Sequence, residues 1–253
     1  MPRKPRKRSR NGVYHVMLRG NNKQTIFEDD VDKKKFLEIV KKYKRVCGFE
    51  LYAYCLMDNH VHLLLMEKEE TVSKVMKRIS SSFVYWYNMK YERIGHLFQE
   101  RFRSENVEDI RYFKTVLRYI HQNPLNAGLV TNVWNSEWTS LHEYLHRWYM
   151  VDVDRGLELF SHDRETAIRA YIDYMKETNE DECLEYVDRG RVPDEKVKKY
   201  LRSIGITNAT TVQQMPKTER DALLALLKER KGLSVSQISR IVGVSRSVVG
   251  RAR

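Results

Sequence analysis

Two histidines separated by a single residue stand at the start of an apolar run, in Asn59-His60-Val61-His62-Leu63-Leu64-Leu65. Because side chains alternate across a β-strand, His60 and His62 share one face while the apolar residues share the other. The apolar face can anchor the strand in a core and leave both imidazoles within reach of one metal ion. The same pattern is also typical of a strand edge whose histidines share no role, so the pair needs support from elsewhere in the chain.

A second group of reactive side chains lies in the segment 109–123. Its apolar residues recur at helical spacing, at Ile110, Phe113, Val116, Leu117 and Ile120. Asp109 can cap this helix, and Pro124 is expected to keep it from running much further. Tyr119 and Asn123 then share a face distinct from the apolar stripe. A phenol and a carboxamide together can supply a nucleophile and a neutral oxygen ligand, although an isolated tyrosine more often has only a structural hydrogen bond. The neighbouring His121 is expected on the surface.

The elements that position these groups follow the order βαββαβ, and then comes the tyrosine helix. Strands are predicted at 11–18, 49–57, 60–66 and 95–104, and the second and third form a hairpin. One helix begins at residue 29 or 30 and ends at Gly48, and another spans 72–87. This order predicts an α+β fold with a ferredoxin-like antiparallel sheet. Helices are expected on one face, and the histidines on an open second face.

The C-terminal residues have the pattern of a helix-turn-helix module. A helix at 218–229, with Leu223, Leu226 and Leu227 inward, precedes two short helices at 234–242 and 246–253 that flank Gly243-Val244-Ser245. Arg246, Ser247, Gly250 and Arg251 would then face a major groove. An ordinary small helical bundle is the alternative, and the basic final helix favours DNA contact.

The charge of the chain is strongly basic and unevenly distributed. Its 46 Lys and Arg against 34 Asp and Glu give a net charge of +12. Basic residues cluster at 2–10 and at 228–253, whereas 177–185 is acidic. Positive charge at both ends favours a polyanionic partner, because neutralising phosphates releases their counterions.

Cysteine usage and hydropathy indicate a cytoplasmic protein. Cys47, Cys55 and Cys183 are scattered and form no Cys-x-x-Cys pair, so neither a disulfide framework nor a zinc ribbon is indicated. The basic N-terminus lacks the apolar stretch of a secretory signal. No apolar run approaches the roughly 20 residues that span a bilayer, so no membrane partner is expected.

The stretch 134–149 is rich in large aromatic side chains, at Trp134, Trp138, Tyr144, Trp148 and Tyr149. Interleaved with His146 and Arg147, they could stack on unpaired bases. Closure of the first domain is the favoured interpretation, because large aromatic residues mostly serve packing.

Taken together, the motifs of residues 11–149 make the chain resemble the single-tyrosine transposases of the HUH endonuclease superfamily, in particular the REP-associated tyrosine transposases. The matching segments are Tyr14-His15-Val16, Arg19-Gly20-Asn21-Asn22, Phe27, residues 57–64, Gly95-His96-Leu97-Phe98-Gln99-Glu100-Arg101-Phe102, residues 119–124 and 127–130, and Trp138-Thr139-Ser140 with Tyr144. Glu100 stands where many relatives have glycine. The resemblance implies a catalytic domain at 1–149. The residues beyond it, which the resemblance does not cover, are predicted to form a helical acidic linker at 150–194 and the helix-turn-helix module at 195–253.

The resemblance also implies the roles of the reactive residues. His60, His62 and Asn123 would hold Mg²⁺ or Mn²⁺, and Tyr119 would attack single-stranded or hairpin DNA to leave a 5′-phosphotyrosine and a free 3′-hydroxyl. The C-terminal module would bind duplex DNA. The chain would act as a monomer or a homodimer. The residues expected to contact DNA are Arg3, Lys4, Arg6, Lys7, Arg8, Arg10, Arg19, Asn21, Arg101, Arg103, Arg246, Ser247 and Arg251.

Two other classes of function remain open from the sequence. A DNA-binding regulator would use the helix-turn-helix module to choose its site, with an inactive nuclease core. An RNA-binding ferredoxin-like module would expose aromatic residues such as Tyr52 and Tyr54 on central strands, and it would leave the two histidines without a role.

Overall fold

A four-stranded antiparallel sheet organises the first part of the chain. The computed structural model describes residues 7–146, 149–178, 181, 183–184, 194–206, 208–230 and 233–252. They divide into two units, Met1–Glu185 and Tyr186–Arg253. In the first unit the strands are β1 (Val13–Arg19), β2 (Glu50–Met57), β3 (His60–Met66) and β4 (Arg103–Asn106), in the spatial order β2-β3-β1-β4. The predicted ferredoxin-like α+β architecture is confirmed.

Two helices cover the apolar face of this sheet. They are α1 (Asp30–Cys47) and α2 (Val72–Lys90). Asp29 caps α1 through a reciprocal pair of hydrogen bonds with Asp32, and Gly48 ends it in the left-handed region at φ 64°. Phe27, Phe36 and Phe83 meet edge to face between the helices and the sheet. The apolar face of β3 is fully buried there, as its alternating pattern predicts.

The opposite face of the sheet is not open, contrary to the prediction. The helix α3 (Ile110–Asn126) lies across it, with the Phe113 ring 5.2 Å from that of Tyr52 on β2. Of the predicted apolar stripe, Ile110 is 62 % exposed, whereas the other four residues are buried. The histidine face is therefore an interior layer between the sheet and α3.

The C-terminal end of α3 lies shortly after Pro124, in agreement with the prediction. Asp109 caps the start as expected, accepting a hydrogen bond from the Tyr112 amide. The helix then runs past Pro124 to Asn126. In the last turn the proline removes a single N–H donor, and Gly128, at φ 70°, follows the end of the helix. One lost hydrogen bond is evidently tolerated at this position.

The predicted fourth strand at 95–104 is largely wrong, because β4 begins only at Arg103. Residues 95–102 form an irregular segment joined to the end of β1. Phe98 bridges Gly20, and the Asn21 amide donates to the Leu97 carbonyl at 2.8 Å. A Cβ at Gly20 would lie 2.1 Å from the Gln24 carbonyl oxygen, so this close approach requires glycine.

The segment after α3 closes the free edge of β2. The Leu56 amide donates to the Trp138 carbonyl, and the Ser140 amide donates to the Tyr54 carbonyl. The helices α4 (Leu141–Leu145), α5 (Val153–Glu158) and α6 (Arg164–Lys176) follow, and the rings of Tyr144 and Tyr171 stack at 4.8 Å. Tyr144 of the aromatic stretch therefore packs in the core. Tyr149 is exposed, and Trp148 lies outside the described residues.

Residues of the expected acidic linker, 150–194, take part in the core of the first unit. Val153, Leu157 and Tyr171 from α5 and α6 are buried in it. The acidic residues Glu177 and Asp181 pair with Arg118 of α3, each at 2.8 Å. This segment therefore helps to hold α3 in place.

His121 is buried, not on the surface as expected. Its Nε2 lies 2.8 Å from the Ser140 hydroxyl, and its Nδ1 lies 2.8 Å from the Tyr171 hydroxyl. Burial lowers the pKa of His121 to about 3, with a smaller contribution from His142. The neutral imidazole joins α3 to the segments that follow it.

In its described residues, the second unit has five helices around its own core. They are α7 (Asp194–Ser203), α8 (Ala209–Gln214), α9 (Lys217–Glu229), α10 (Val235–Val242) and α11 (Arg246–Arg251). Leu224 and Leu227 of α9 are buried, whereas Leu226, predicted to point inward, is 46 % exposed. Among the described residues of both units, no helix is long and apolar enough to cross a bilayer.

The helix pair α10 and α11 lies where the helix-turn-helix pattern was predicted. Ser234 and Ser245 cap the two helices, and Gly243 makes the turn in the left-handed region at φ 67°. Ile238, Val242 and Val249 bury the inner faces of the pair. The last helix ends at Arg251, two residues earlier than predicted.

The buried His121 predicts that stability falls as the pH is lowered. In the unfolded chain a histidine binds a proton below about pH 6.5, but folded His121 does so only near pH 3. The contribution of neutral His121 to the free energy of unfolding is therefore fully present above pH 6.5 and is lost as the pH falls toward 3. In urea titrations at about pH 6 and pH 4, His121→Gln is expected to reduce the slope of unfolding free energy against pH by about 1.4 kcal/mol per unit. An unchanged slope in His121→Gln, or the same change in the exposed control His96→Gln, would contradict this.

Candidate active site

His60 and His62 lie on the sheet face that α3 covers. Their ring centroids are 5.0 Å apart and nearly perpendicular. His62 is completely buried, whereas His60, at the first position of β3, is half-buried. The strand alternation thus brings both imidazoles to one side, with one at the rim and one inside.

Tyr119 of α3 packs against His62 of this pair. Its ring centroid is 5.5 Å from that of His62, and the tyrosine is only 4 % exposed. Asn123 follows one helical turn later and is buried as well. A phenol and an imidazole separated by more than fifty positions in the sequence therefore meet in one buried layer.

A third histidine, His15 of β1, completes this cluster. Its Nε2 lies 2.9 Å from His62 Nδ1, and its ring centroid is 5.8 Å from that of Tyr119. On the other side, His15 Nδ1 is 3.8 Å from Glu105 Oε2 of β4. No local pattern in the sequence assigns His15 or Glu105 a role. Only the strand register, in which His15 faces Glu105 and Met17 faces His62, brings these residues together.

One ring nitrogen of each histidine in the pair has the chemistry of a metal ligand. His60 Nδ1 donates to the Asn59 side-chain oxygen at 2.7 Å, since that oxygen can only accept, and this leaves a lone pair on His60 Nε2. His62 Nε2 is buried and has no hydrogen-bond partner among the described residues. Because buried polar atoms normally have partners, a buried nitrogen without a hydrogen-bond partner is a candidate metal ligand.

The electrostatic surroundings keep His62 neutral. Burial lowers the pKa of His62 well below its ordinary value, and the neighbouring His15, His60 and Arg19 lower it further. A neutral imidazole has the lone pair that coordination requires. The described residues contain no group of three or more His, Cys, Asp or Glu side chains arranged for a metal, so a third ligand would have to be of another type, such as the Asn123 amide.

Glu105 remains ionised beside this cluster. Its partial burial raises the pKa, but the interactions of its carboxylate with His15 and Tyr112 outweigh that effect and hold the pKa of Glu105 below its ordinary value. The hydroxyl of Tyr112 belongs to α3. The carboxylate therefore connects β4 both to the histidines and to the tyrosine helix.

Several of the residues expected to contact DNA border the site. Arg19 pairs with His60 across β1 and β3, and Arg103 pairs with Met17, so both emerge on the histidine face. Asn21 and Arg101 lie in the two loop segments joined through Gly20 and Phe98. Lys7, Arg8 and Arg10 are exposed, whereas Arg3, Lys4 and Arg6 lie outside the described residues. The rim of the site is thus basic.

The C-terminal residues expected to contact DNA belong to the second unit. Arg246, Ser247, Gly250 and Arg251 of α11 are all exposed. The Arg251 guanidinium donates to the Ser247 carbonyl at 3.2 Å. The outer face of α11 is therefore polar and positively charged, as predicted for that helix.

Comparison with known proteins shows which proteins the sheet and its helices resemble. A family model described as "Transposase IS200 like" matches residues 9–123, which include His15, His60, His62, Glu105 and Tyr119. No curated protein matches the chain significantly. A solved structure of a REP-associated tyrosine transposase bound to a REP hairpin aligns with a TM-score of 0.51 at 19 % identity, covering 58 % of this chain and 87 % of that one. This likeness shows a shared fold. A crystal structure of a Deinococcus radiodurans R1 protein described as a transposase aligns with a TM-score of 0.34 at 17 % identity, covering 48 % and 97 % of the respective chains.

The hydrogen bond between His60 and Asn59 predicts an effect on metal affinity. Asn59→Ala removes the acceptor that orients the His60 ring and fixes its proton on Nδ1. We expect Mn²⁺ to bind about tenfold more weakly, measured by electron paramagnetic resonance of free Mn²⁺ in a titration of the full chain. Asn126→Ala, at the exposed end of α3, is the matched control and should bind as the wild type does. Equal affinities in Asn59→Ala and wild type would refute the role of this bond.

Proposed function

Because residues 9–123 belong to the IS200-like transposase family, we propose that the chain cleaves and rejoins single-stranded DNA through a covalent bond to Tyr119. The observation that carries this proposal is the position of the Tyr119 ring, 5.5 Å from the buried His62 and beside a rim that carries Arg19 and Arg103. A structural tyrosine at this place would not account for three histidines gathered on the same sheet face.

The proposed reaction is an exchange of phosphodiester bonds. The Tyr119 oxygen attacks the phosphorus and loses its proton, the bond from phosphorus to the 3′ oxygen breaks, and that oxygen takes up a proton. The products are a 5′-phosphotyrosine and a free 3′-hydroxyl, and no water is consumed. Because the bond energy is retained in the phosphotyrosine, a 3′-hydroxyl can attack it and restore a DNA strand.

A phenol with a pKa of about 10 is a weak nucleophile at neutral pH, so the site must assist it. His60 and His62, through their Nε2 atoms, and Asn123, through its amide oxygen, are the proposed ligands of Mg²⁺ or Mn²⁺. When bound, such a cation supplies a Lewis acid toward a non-bridging phosphate oxygen. Imidazole ligands suit Mn²⁺ better than Mg²⁺, which prefers an all-oxygen shell. The burial of Tyr119 keeps bulk water away from the phosphotyrosine.

The proposed substrate is single-stranded or hairpin DNA. The net charge of +12 and the basic residues at the rim of the site favour a phosphate backbone. A strand without a partner can bring a single phosphate down to a buried phenol, which a regular duplex cannot do without distortion. The solved relative of the same fold, which is bound to a REP hairpin, supports this class of substrate.

Tyr119 and His62 come from one chain, which supports an active site that a monomer can assemble. A homodimer would then serve other purposes than completing the site. A cytoplasmic location fits a DNA-processing enzyme and remains part of this proposal.

The second unit is proposed to bind duplex DNA. Its helix pair presents Arg246 and Arg251 on the exposed face of α11, while Val249 anchors the inner face. That is the arrangement in which a helix-turn-helix places side chains in a major groove. This contact would hold the chain near its target while the first unit acts on an unpaired strand.

The covalent step predicts a tyrosine-dependent adduct. Wild-type chain incubated with a 3′-labelled hairpin oligonucleotide carrying a single-stranded extension and Mn²⁺ should give a labelled, mass-shifted protein band that survives denaturation, because the 5′-phosphotyrosine retains the 3′-terminal part of the strand. In Tyr119→Phe and in His62→Ala the yield of adduct should fall by at least about a hundredfold, because the proposed nucleophile and the proposed metal ligand act together. Tyr85→Phe, an exposed tyrosine on α2, should retain it.

Tight DNA binding without an adduct, under Mn²⁺ or Mg²⁺, would contradict the enzyme and favour a DNA-binding regulator. An adduct that persists in Tyr119→Phe would assign the nucleophile to another residue.

The second unit predicts a measurable salt dependence. Arg246→Ala and Arg251→Ala should each weaken binding to duplex DNA and reduce the slope of log affinity against log salt by about one. Fluorescence anisotropy with a labelled duplex, at several salt concentrations, measures both quantities. Arg202→Ala removes an exposed charge from α7 of the same unit and should leave the slope unchanged. Equal effects of all three substitutions would argue against a binding face on α11.

A further inference from the structure

We propose that Glu105 and His15 form a positioning chain that holds His62 in the tautomer and orientation needed to bind a divalent cation through Nε2. This inference rests on the proposed ligand role of His62 and adds two residues to it. Neither Glu105 nor His15 would touch the metal or the DNA. They would act through the ring of His62.

The three residues come from three neighbouring strands. In the register of the sheet His15 on β1 faces Glu105 on β4, while Met17, two residues further along β1, faces His62 on β3. His15 Nε2 lies 2.9 Å from His62 Nδ1, and His15 Nδ1 lies 3.8 Å from Glu105 Oε2. Both imidazoles are completely buried, so water does not compete for the contact between them. The sheet itself thus sets the spacing of the chain.

The contact between the two rings constrains their protons. Two neutral imidazoles joined by a hydrogen bond need one donor and one acceptor. If His62 Nδ1 donates to His15 Nε2, the proton of His15 lies on Nδ1 and points toward the Glu105 carboxylate. The remaining nitrogen of His62, Nε2, then carries a lone pair. This is the arrangement that a metal ligand requires.

The opposite arrangement is unfavourable at both ends. If His15 Nε2 donated to His62 Nδ1, the lone pair of His15 Nδ1 would face the negative Glu105 oxygen. His62 Nε2 would carry a proton, with no acceptor among the described residues. The carboxylate therefore selects the first arrangement, and the selection passes through His15 to His62.

Glu105 is itself held in place from α3. Its carboxylate interacts with the hydroxyl of Tyr112, which lies two turns before Tyr119 on that helix. Its Oε2 atom is buried and lies 3.8 Å from His15 Nδ1, and neither atom has a hydrogen-bond partner among the described residues. A small shift of the Glu105 side chain would bring the two atoms within hydrogen-bond distance. The helix that carries the nucleophile thus also positions the residue that orients the ligand.

The test measures Mn²⁺ affinity of the full chain without DNA, by electron paramagnetic resonance of free Mn²⁺. His15→Phe keeps a planar ring but has no acceptor for His62 Nδ1, and we expect affinity to fall by about tenfold or more. His15→Gln offers an amide oxygen near the position of the lost nitrogen and should recover most of the affinity. Glu105→Gln, which removes the charge alone, should lower affinity several-fold, whereas the exposed Glu108→Gln should not change it.

A second readout follows the tautomer directly. In metal-free protein with ¹⁵N-labelled histidine, nuclear magnetic resonance should show His62 protonated on Nδ1, assigned by comparison with His62→Ala. Glu105→Gln should introduce the Nε2-protonated form. Thermal melting of each variant without metal shows whether it is folded. If His15→Phe does not fold, the comparison of Glu105→Gln with wild type decides the test.

The outcomes separate this inference from the proposed function. If wild type binds no Mn²⁺, or His62→Ala binds as tightly as wild type, the ligand role of His62 fails. If His62→Ala loses Mn²⁺ but His15→Phe and Glu105→Gln bind it normally with an unchanged His62 tautomer, the positioning chain alone is overturned. A purely structural pair would lower the melting temperature in His15→Phe without changing affinity or tautomer.

Discussion

The 2.9 Å contact between His15 and His62 is the constraint on which the site depends. Burying two imidazoles beneath a helix costs free energy unless their polar atoms find partners. Here each ring supplies part of what the other needs, and Glu105 faces the far side of His15. His15 Nδ1 and Glu105 Oε2 are buried without a hydrogen bond but face each other at 3.8 Å, whereas His62 Nε2 is buried without a hydrogen-bond partner among the described residues. A buried imidazole nitrogen of this kind, on a ring packed beside a tyrosine, has the character of a ligand atom more than of a core atom.

The helix α3 must be fixed for this arrangement to hold. It is secured by the ion pairs of Arg118 with Glu177 and Asp181, and by the contacts of His121 with Ser140 and Tyr171. Gln122 adds a hydrogen bond from its amide to the Met175 carbonyl at 2.8 Å. These contacts reach residues well beyond the family match. The region after residue 123 thus helps to position Tyr119, which lies within the matched residues 9–123.

Local patterns in the sequence predicted most of the elements. The limits of β3, the caps of α1 and α3, and the βαββαβ order followed from alternation, helical spacing and capping residues, all of which act over a few positions. The segment 95–102 was mistaken for a strand because its apolar residues are held by single contacts to Gly20 and Asn21, not by a ladder. The covered histidine face was missed because strand alternation shows which residues share a face, but not what packs on it.

The same limit applies to the site. His60, His62 and Tyr119 were identifiable from their spacing and from the resemblance to a family. His15 and Glu105 were not, because their place beside His62 depends on the register of β1 with two other strands, which no short segment encodes. His121 was misplaced on the surface for a similar reason, since its partners Ser140 and Tyr171 lie 19 and 50 positions away.

The central claim is that Tyr119 and the histidine pair surround one cation within a single chain. Paramagnetic broadening in ¹⁹F nuclear magnetic resonance of the full chain labelled with 3-fluorotyrosine measures this directly, with the Tyr119 signal assigned by Tyr119→Phe. Substoichiometric Mn²⁺ should broaden the Tyr119 resonance first and most strongly, and His62→Ala should abolish the effect. A Tyr119 signal that stays sharp while Mn²⁺ is bound, or that broadens equally in His62→Ala, would contradict the account.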